Sequence, residues 1–431
     1  MNKMYSFFLA CFFALSLVSV QAQIVISELN YQSDSTVNSG DWVELWNPTG
    51  SAVDVSNWKM IDGNLANFPY TIPPGTTIPA DGRLVLVDNV SRFTAQHPGV
   101  TNFLGPLGFE FANSGELVTL SNAAGQIQIQ FQYDDSIPWN KCADGFGRTL
   151  ELLDPAVAPS NASNWRCGCI KGSPGTAFVP CTNETLLISE INYKSLPTQE
   201  AGDWIEIWNK TNGSLNLSGY KFRDDNNSHV YNFPSGTILN PQERIVVFND
   251  AINFTIQHPS VTRKLGPFNF SLDGNGDAVR LYNGSDRLIQ SLWYDDDGNW
   301  PKCADGEGTT LELATDFDQP RDISDYSSWR CGCPKGSPAA AFINTCGVGI
   351  DEVFSTSMFR VWPNPASDVL YVGVQSGSVT FHIISVDGKT VKNGSVNGTT
   401  PQIDVAGLPA GIYVISIAKD GEVLKAKWIK N

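Results

Sequence analysis

The chain has 431 residues, with 44 Asp and Glu against 28 Lys and Arg and a formal net charge of -16. That length predicts two or three domains, and that charge excludes phosphate backbones and anionic membrane surfaces as partners. With 12 Trp, 38 Gly, 25 Pro and only 4 Met, the composition is that of short strands joined by many turns.

The N-terminus reads as a targeting segment. Lys3 precedes an apolar run from Tyr5 to Val18, too short for a membrane span, and Val20-Gln21-Ala22 suits a signal peptidase acting before Gln23. No later apolar run is long enough to cross a bilayer, so the chain reads as exported, with no transmembrane segment.

From residue 24 to 346 the chain repeats itself. Val25-Ile26-Ser27-Glu28-Leu29-Asn30-Tyr31 returns as Leu187-Ile188-Ser189-Glu190-Ile191-Asn192-Tyr193. Gly40-Asp41-Trp42-Val43-Glu44-Leu45-Trp46 returns as Gly202-Asp203-Trp204-Ile205-Glu206-Ile207-Trp208, and Trp165-Arg166-Cys167-Gly168-Cys169 as Trp329-Arg330-Cys331-Gly332-Cys333. A unit this long is a whole domain, not a solenoid repeat.

Within each unit the apolar residues alternate. In Trp42 to Trp46, Val43 and Leu45 face one way while Trp42, Glu44 and Trp46 face the other. Arg83-Leu84-Val85-Leu86-Val87 and Arg244-Ile245-Val246-Val247-Phe248 suit strands buried on both faces, and Leu117–Leu120 and Ala278–Leu281 each open a hairpin. No stretch keeps a helical period for three turns. The expected fold class is all-β, with a β-sandwich in each of the two tandem units.

Eight cysteines remain after the signal, four per unit: Cys142, Cys167, Cys169 and Cys181, then Cys303, Cys331, Cys333 and Cys346. In an exported chain an even number per unit reads as disulfides. A bridge between residues two apart would be strained. The favoured pairs are therefore Cys142–Cys167 with Cys169–Cys181, and Cys303–Cys331 with Cys333–Cys346, with the swapped pairing (142–169, 167–181) open. Zinc is the competing reading, but paired C-x-x-C knuckles are lacking.

Catalytic patterns are scarce. Glu28 with Glu44, and Glu190 with Glu206, have the look of an acid pair, but on sandwich strands they read as surface partners of Arg or Lys. His97 and His258, both in Gln-His-Pro, read as turn histidines. Trp42, Trp46, Trp204 and Trp208 offer a stacking platform for sugars, or lie packed under a covering loop. Calcium is the one cofactor considered: Asp273, Asn275 and Asp277 alternate oxygen ligands with glycines, and Asp295, Asp296 and Asp297 form a second acidic loop. Asp224-Asp225-Asn226-Asn227 joins neither.

The order Ile-Ser-Glu, Asp-Trp-[Val/Ile]-Glu-[Leu/Ile]-Trp-Asn, Val53–Trp58 (Leu215–Tyr220), then a hairpin ending in Tyr133-Asp134-Asp135 (Tyr294-Asp295-Asp296) resembles the lamin tail domain in its bacterial secreted form. The cysteine-bearing extensions, 141 to 181 and 301 to 346, lie outside that pattern and read as flaps stapled to the sandwich end. After Cys346, Trp362-Pro363-Asn364-Pro365, Gly388-Lys389, Gly411-Ile412-Tyr413 and Lys425-Ala426-Lys427-Trp428 resemble the type A C-terminal sorting domain of the type IX secretion system in Bacteroidota. That resemblance implies Pro363, Asn364, Pro365, Gly388, Lys389, Gly411, Tyr413 and Lys427 as the sorting signal. It implies the type IX machinery as partner, an extracellular or surface-attached product, and surface glycolipid as a further partner; polysaccharide is the partner the tryptophan platform would offer.

The resemblances imply an all-β chain of two tandem immunoglobulin-like β-sandwiches plus a small C-terminal β-sandwich, and the expected domains are a signal peptide (1–22), two lamin-tail-like sandwiches (23–182 and 183–347) and the sorting domain (354–431). The function expected is that of a non-catalytic exported binding or structural protein. A secreted hydrolase with an unrecognised carboxylate site and a calcium-stabilised adhesion spacer are the alternatives.

Overall fold

Val43 and Leu45 are fully buried on one face of the strand Trp42–Trp46, among Leu29, Leu86, Val118 and Phe131. Period-two alternation thus builds the core, each buried aliphatic or aromatic contributing about 1.5–3 kcal/mol. The computed structural model describes residues 23–64, 66–181, 184–314, 322–343, 360–373, 378–385, 389–398, 401–419 and 422–431. Residues 1–22, where the signal peptide is expected, Cys346 and Gly388 lie outside the described residues.

The first module is a two-layer sandwich. One sheet runs Trp165–Cys167, Leu150–Leu152, Val25–Asn30, Trp42–Trp46, Arg83–Val87, Phe103–Leu104, antiparallel except for the last pair. The other runs Ile127–Gln132, Leu117–Ser121, Lys59–Ile61, Tyr70–Thr71. The second module repeats both sheets, with Trp329–Pro334, Thr309–Leu313, Leu186–Asn192, Trp204–Asn209, Arg244–Phe248 and Lys264–Leu265 in the first of them.

The cysteine extension is not an appendage at the sandwich end. It adds two strands beside the opening strand, then crosses the outer face of the same sheet. Periodicity missed this because three-residue strands such as Leu150–Leu152 are too short to show alternation. Cys142 is bridged to Cys167 and Cys169 to Cys181, with Cα separations of 6.0 and 5.5 Å, and Cys303 is bridged to Cys331 at 5.8 Å. Cys333 is disulfide-bonded as well.

Each module also carries a seven-residue helix, Val90–Gln96 or Ala251–Gln257, too short to register as a helical period. Asn89 caps the first by accepting from the Arg92 N–H, and Asp250 caps the second by accepting from Ile252 and Asn253. Both helices lie on the outer face of the larger sheet, where Phe93 and Phe254 cover Trp42 and Trp204 at ring separations of 6.0 and 5.8 Å. Among the described residues no helix is long and apolar enough to cross a membrane.

The two modules dock. Arg148, completely buried, donates to the Ser291 carbonyl at 2.9 Å, to Gln290 at 2.9 Å and to the Gly168 carbonyl at 3.0 Å, and pairs with Glu184 at 3.3 Å. The Tyr282 hydroxyl donates to Asp34 at 2.8 Å, and Val37 packs with Tyr282 and Leu288. The Phe146 and Trp293 rings stand 5.3 Å apart.

The C-terminal unit is a smaller two-sheet structure. Arg360–Trp362, Val369–Gly373 and Gln402–Asp404 form one sheet; Thr390–Asn397, Ser378–Ser385, Gly411–Lys419 and Glu422–Lys430 form the other. Leu370, Phe381, Ile383, Ile415 and Trp428 form its core.

Candidate functional site

Three glutamates stand in a row across the outer face of the first module's larger sheet. Glu28 is the cross-strand neighbour of both Glu44 and Glu151. The second module repeats the row as Glu206, Glu190 and Glu312. Of the four glutamates the pattern singled out, Glu44 and Glu206 do pair with Arg83 and Arg244, but none lies at the surface: all six are at most 2% exposed. Alternation correctly turned them away from the core. It could not show that the segment after Cys167 folds back over them.

That segment binds the row with its backbone. Ser173 N–H donates to Glu28 Oε1 at 2.9 Å, Ser173 Oγ to Glu151 at 2.9 Å, and Gly175 N–H to Glu44 Oε2 at 2.6 Å. Thr149 and Ser27 add hydroxyl donors at 2.6 Å to Glu28 and Glu44, and Arg83 reaches Glu44 at 3.1 Å. The second module matches each tie: Ser337 to Glu190 and Glu312, Ala339 to Glu206, with Thr310, Ser189 and Arg244 in support. The approach is so close that a Cβ on Gly172 or Gly336 would land on the Glu28 or Glu190 carboxyl, and both glycines have a left-handed φ, +76° and +79°.

Burial raises the proton affinity of the row. Glu28 is pushed well above an ordinary glutamate by burial, then by the charges of Glu151 and Glu44. Burial holds Glu44 and Glu151 at about 7. Glu190 and Glu206 are raised for the same reason. Perturbed carboxyls in a cleft would suggest acid–base chemistry; here all six are at most 2% exposed, and the row acts as the seat of the flap.

The tryptophan platform is also taken apart. Trp42 and Trp204 are fully buried, with Phe93 and Phe254 of the short helices packed against them. Trp46 and Trp208 carry Arg83 and Arg244 on their ring faces at 4.9 and 4.5 Å. His97 and His258 pack edge-on to Trp42 and Trp204, and burial pushes both down to about 4, so they are neutral near pH 7.

An open groove lies where the modules meet. Its cavity volume is about 290 Å³, near the small end of ligand clefts, which run from roughly 300 to 1,000 Å³. Ile137, Pro138, Trp139 and Leu153 line it from the first module, Trp300 and Tyr326 from the second.

The lamin tail domain family matches residues 18–135 and 180–296, together more than half of the chain. The chain belongs to the lamin tail domain family. Residues 360–431 match the secretion system C-terminal sorting domain, which directs export by the type IX route to the cell surface or the extracellular space. No curated protein matches the chain. Among solved structures it is similar to a biofilm-associated protein BSP domain, at 11% identity, 95% coverage of this chain and 81% of that one, TM-score 0.15. It is also similar to PorZ, a surface component of the type-IX secretion system of Porphyromonas gingivalis, at 9% identity, 90% and 58% coverage, TM-score 0.16. Neither likeness at those scores bears on topology or activity.

The acidic loops of the second lamin tail module sort differently from their sequence grouping. Of the six residues considered for calcium, among the described residues only Asp277 joins a convergent group, and its companions are Asp224 and Asp225. Asp277 accepts from the backbone N–H groups of Asp225, Asp273 and Ala278. Glu116 does the same work in the first lamin tail module, accepting from Gly63 and Ala112. Asp273 caps its own loop at Asn275; Asp295 accepts from Trp293 Nε1 and the Asp297 N–H; Asp297 pairs with Lys302 at 3.0 Å; Asp296 is half-buried beside them.

In the sorting domain Asn364, between Pro363 and Pro365, accepts from the Ile429 N–H at 2.9 Å and so ties its turn to the last strand, which carries Lys427 opposite Val414. Tyr413 donates to the Pro409 carbonyl at 2.8 Å and stacks on Trp428 at 5.4 Å. Gly411 pairs with Lys430, and the Lys389 carbonyl accepts from the Ser385 N–H.

Proposed function

We propose that this protein is a non-catalytic binding protein of the cell exterior, in which two docked lamin tail modules form a rigid platform and the C-terminal domain is the export address. The observation that carries the reading is the sealing of both glutamate rows. Glu28 and Glu190, pushed well above an ordinary glutamate by burial and so natural candidates for acid–base work, are enclosed by the flap's own N–H groups. The groove between modules, in contrast, is open and carries aromatic and aliphatic side chains.

Cell fractionation with and without residues 354–431 tests the address: the full chain should reach the outer surface or the medium, and the truncated chain should stay in the periplasm. Incubation of the exported protein with polysaccharide, peptide and phosphoester substrates tests the absence of catalysis. Turnover abolished by Glu28→Gln or Glu190→Gln would overturn the reading in favour of a hydrolase. A rise in melting temperature with calcium, lost in Asp277→Asn, would favour the calcium-stabilised spacer.

A further inference from the structure

We propose that the groove between the two lamin tail modules binds a neutral pyranose-based glycan; this rests on the binding-protein reading above and names its ligand class. The walls are complementary. Trp300 is half-buried with one side against Trp329 at 6.3 Å, and Tyr326 beside it is 41% exposed. Facing them from the first module are Ile137, 53% exposed, and Leu153, 42% exposed. Three large apolar side chains left uncovered in one groove, beside the half-buried Trp300, mark a binding site. Ring faces of this kind take the C–H faces of a sugar, which is apolar on its faces and polar at its rim.

The rim chemistry is present in both senses. Among the described residues, the indole N–H groups of Trp139 and Trp300 have no acceptor within the chain, so both remain available as donors. Asn299 and Ser163 are exposed at the mouth. Asp325 uses one carboxylate oxygen to cap Ser327, leaving the other for a hydroxyl.

Charge selects a neutral ligand. The lining holds Asp295, Asp297, Asp322 and Asp325 against Lys141 and Arg166. Asp322 is compensated by buried Arg148 at 3.8 Å, and Asp297 by Lys302 at 3.0 Å. Arg148 is shared with Glu184, so the groove keeps at most a slight negative excess, which disfavours an anionic ligand. Lys141 already occupies the Trp293 ring face at 4.8 Å, where a cationic ligand would otherwise sit. An acidic glycan would also meet the chain's net charge of -16.

The test is titration of the full chain with neutral hexose oligosaccharides, read by tryptophan fluorescence and by saturation-transfer NMR. Trp300→Ala and Tyr326→Ala should each weaken binding by up to about tenfold, from stacking worth roughly 0.5–1.5 kcal/mol. Trp300→Phe, which keeps a ring, should retain most of it and guards against misfolding. Phe68→Ala, at a site 90% exposed and outside the groove, should change nothing. The proposal is overturned if no neutral oligosaccharide binds, or if binding ignores both substitutions. Binding of oligolysine or an acidic oligosaccharide that does depend on Trp300 and Tyr326 would sink the neutral-sugar assignment while leaving the binding-protein reading intact. Substrate turnover would sink that reading itself.

Discussion

The two lamin tail modules share strand order, flap and glutamate row, yet differ where they face each other. The first presents Asp34, Phe146 and Arg148; the second has Leu196, Glu307 and Thr309 at the matching positions. On the receiving side, Tyr282, Leu288 and Gln290 stand where the first module has Ser121, Ile127 and Ile129. Leu288 is 2% exposed beneath its neighbour, whereas Ile127 is 57% exposed. Docking is therefore a property of a few side chains laid on an unchanged fold. It runs in one direction, because the second module lacks the residues to dock a third. Everything common to both copies serves the module itself.

The comparison breaks hardest at Arg148. Arg148→Met should cost about 3–5 kcal/mol, because it strands Glu184 and several buried acceptors. It should also split calorimetric unfolding of the modules into two transitions; one unshifted transition would show that docking does not depend on this residue. Removing a shared bridge tests the opposite class of feature. Replacing both Cys142 and Cys167, or both Cys303 and Cys331, with serine should cost about 3 kcal/mol in either module, read by denaturant titration. Gly172→Ala and Gly336→Ala should each cost at least about 1–3 kcal/mol from the left-handed backbone alone, with the clash against the glutamate added. A large effect in one module only would contradict the shared role of the flap.

Acidity sharpens the comparison further. Burial holds Glu44 and Glu151 at about 7, against an ordinary glutamate value of 4.5, so the folded chain binds more protons across that interval. Their stabilisation is complete below the unfolded value and is lost as pH rises through about 7. His97 and His258 act in reverse: pushed down to about 4 by burial, they favour the folded state above 6.5 and lose that contribution as pH falls toward 4. The raised carboxyls outnumber them in each module, so the melting temperature should fall between about pH 6 and pH 8. Glu28→Gln should flatten that slope in the first module only. The smallest effect is expected from Thr309→Arg, which places the docking cation on a module with nothing to receive it. It should stay within about 0.5 kcal/mol and leave the mass seen by light scattering unchanged.

Much of this was legible in the chain. Alternation at Val43 and Leu45 and the turn-bounded hairpin at Leu117–Ser121 were enough to expect a sandwich, and the repeated motifs were enough to expect it twice. The short helix after Val87 was not legible, because seven residues cannot establish a period; the signals present were an Asn or Asp cap before Val90 and Ala251 and a proline, Pro98 or Pro259, just past the end. The glutamate rows were misjudged for a related reason. Alternation says which side of a sheet Glu44 occupies, but not whether that side is wet.

Local rules of period, turn and cap, which act between residues close in sequence, settled by themselves the layers, the repeat and the separate sorting domain. Burial of Glu28 under Ser173, capture of Asp34 by Tyr282 and the facing of Leu153 toward Trp300 were decided only in three dimensions. Each joins side chains far apart along the chain. Whether such groups meet depends on how strands twist, where the flap crosses and how one module seats on the next, and no local pattern encodes those positions.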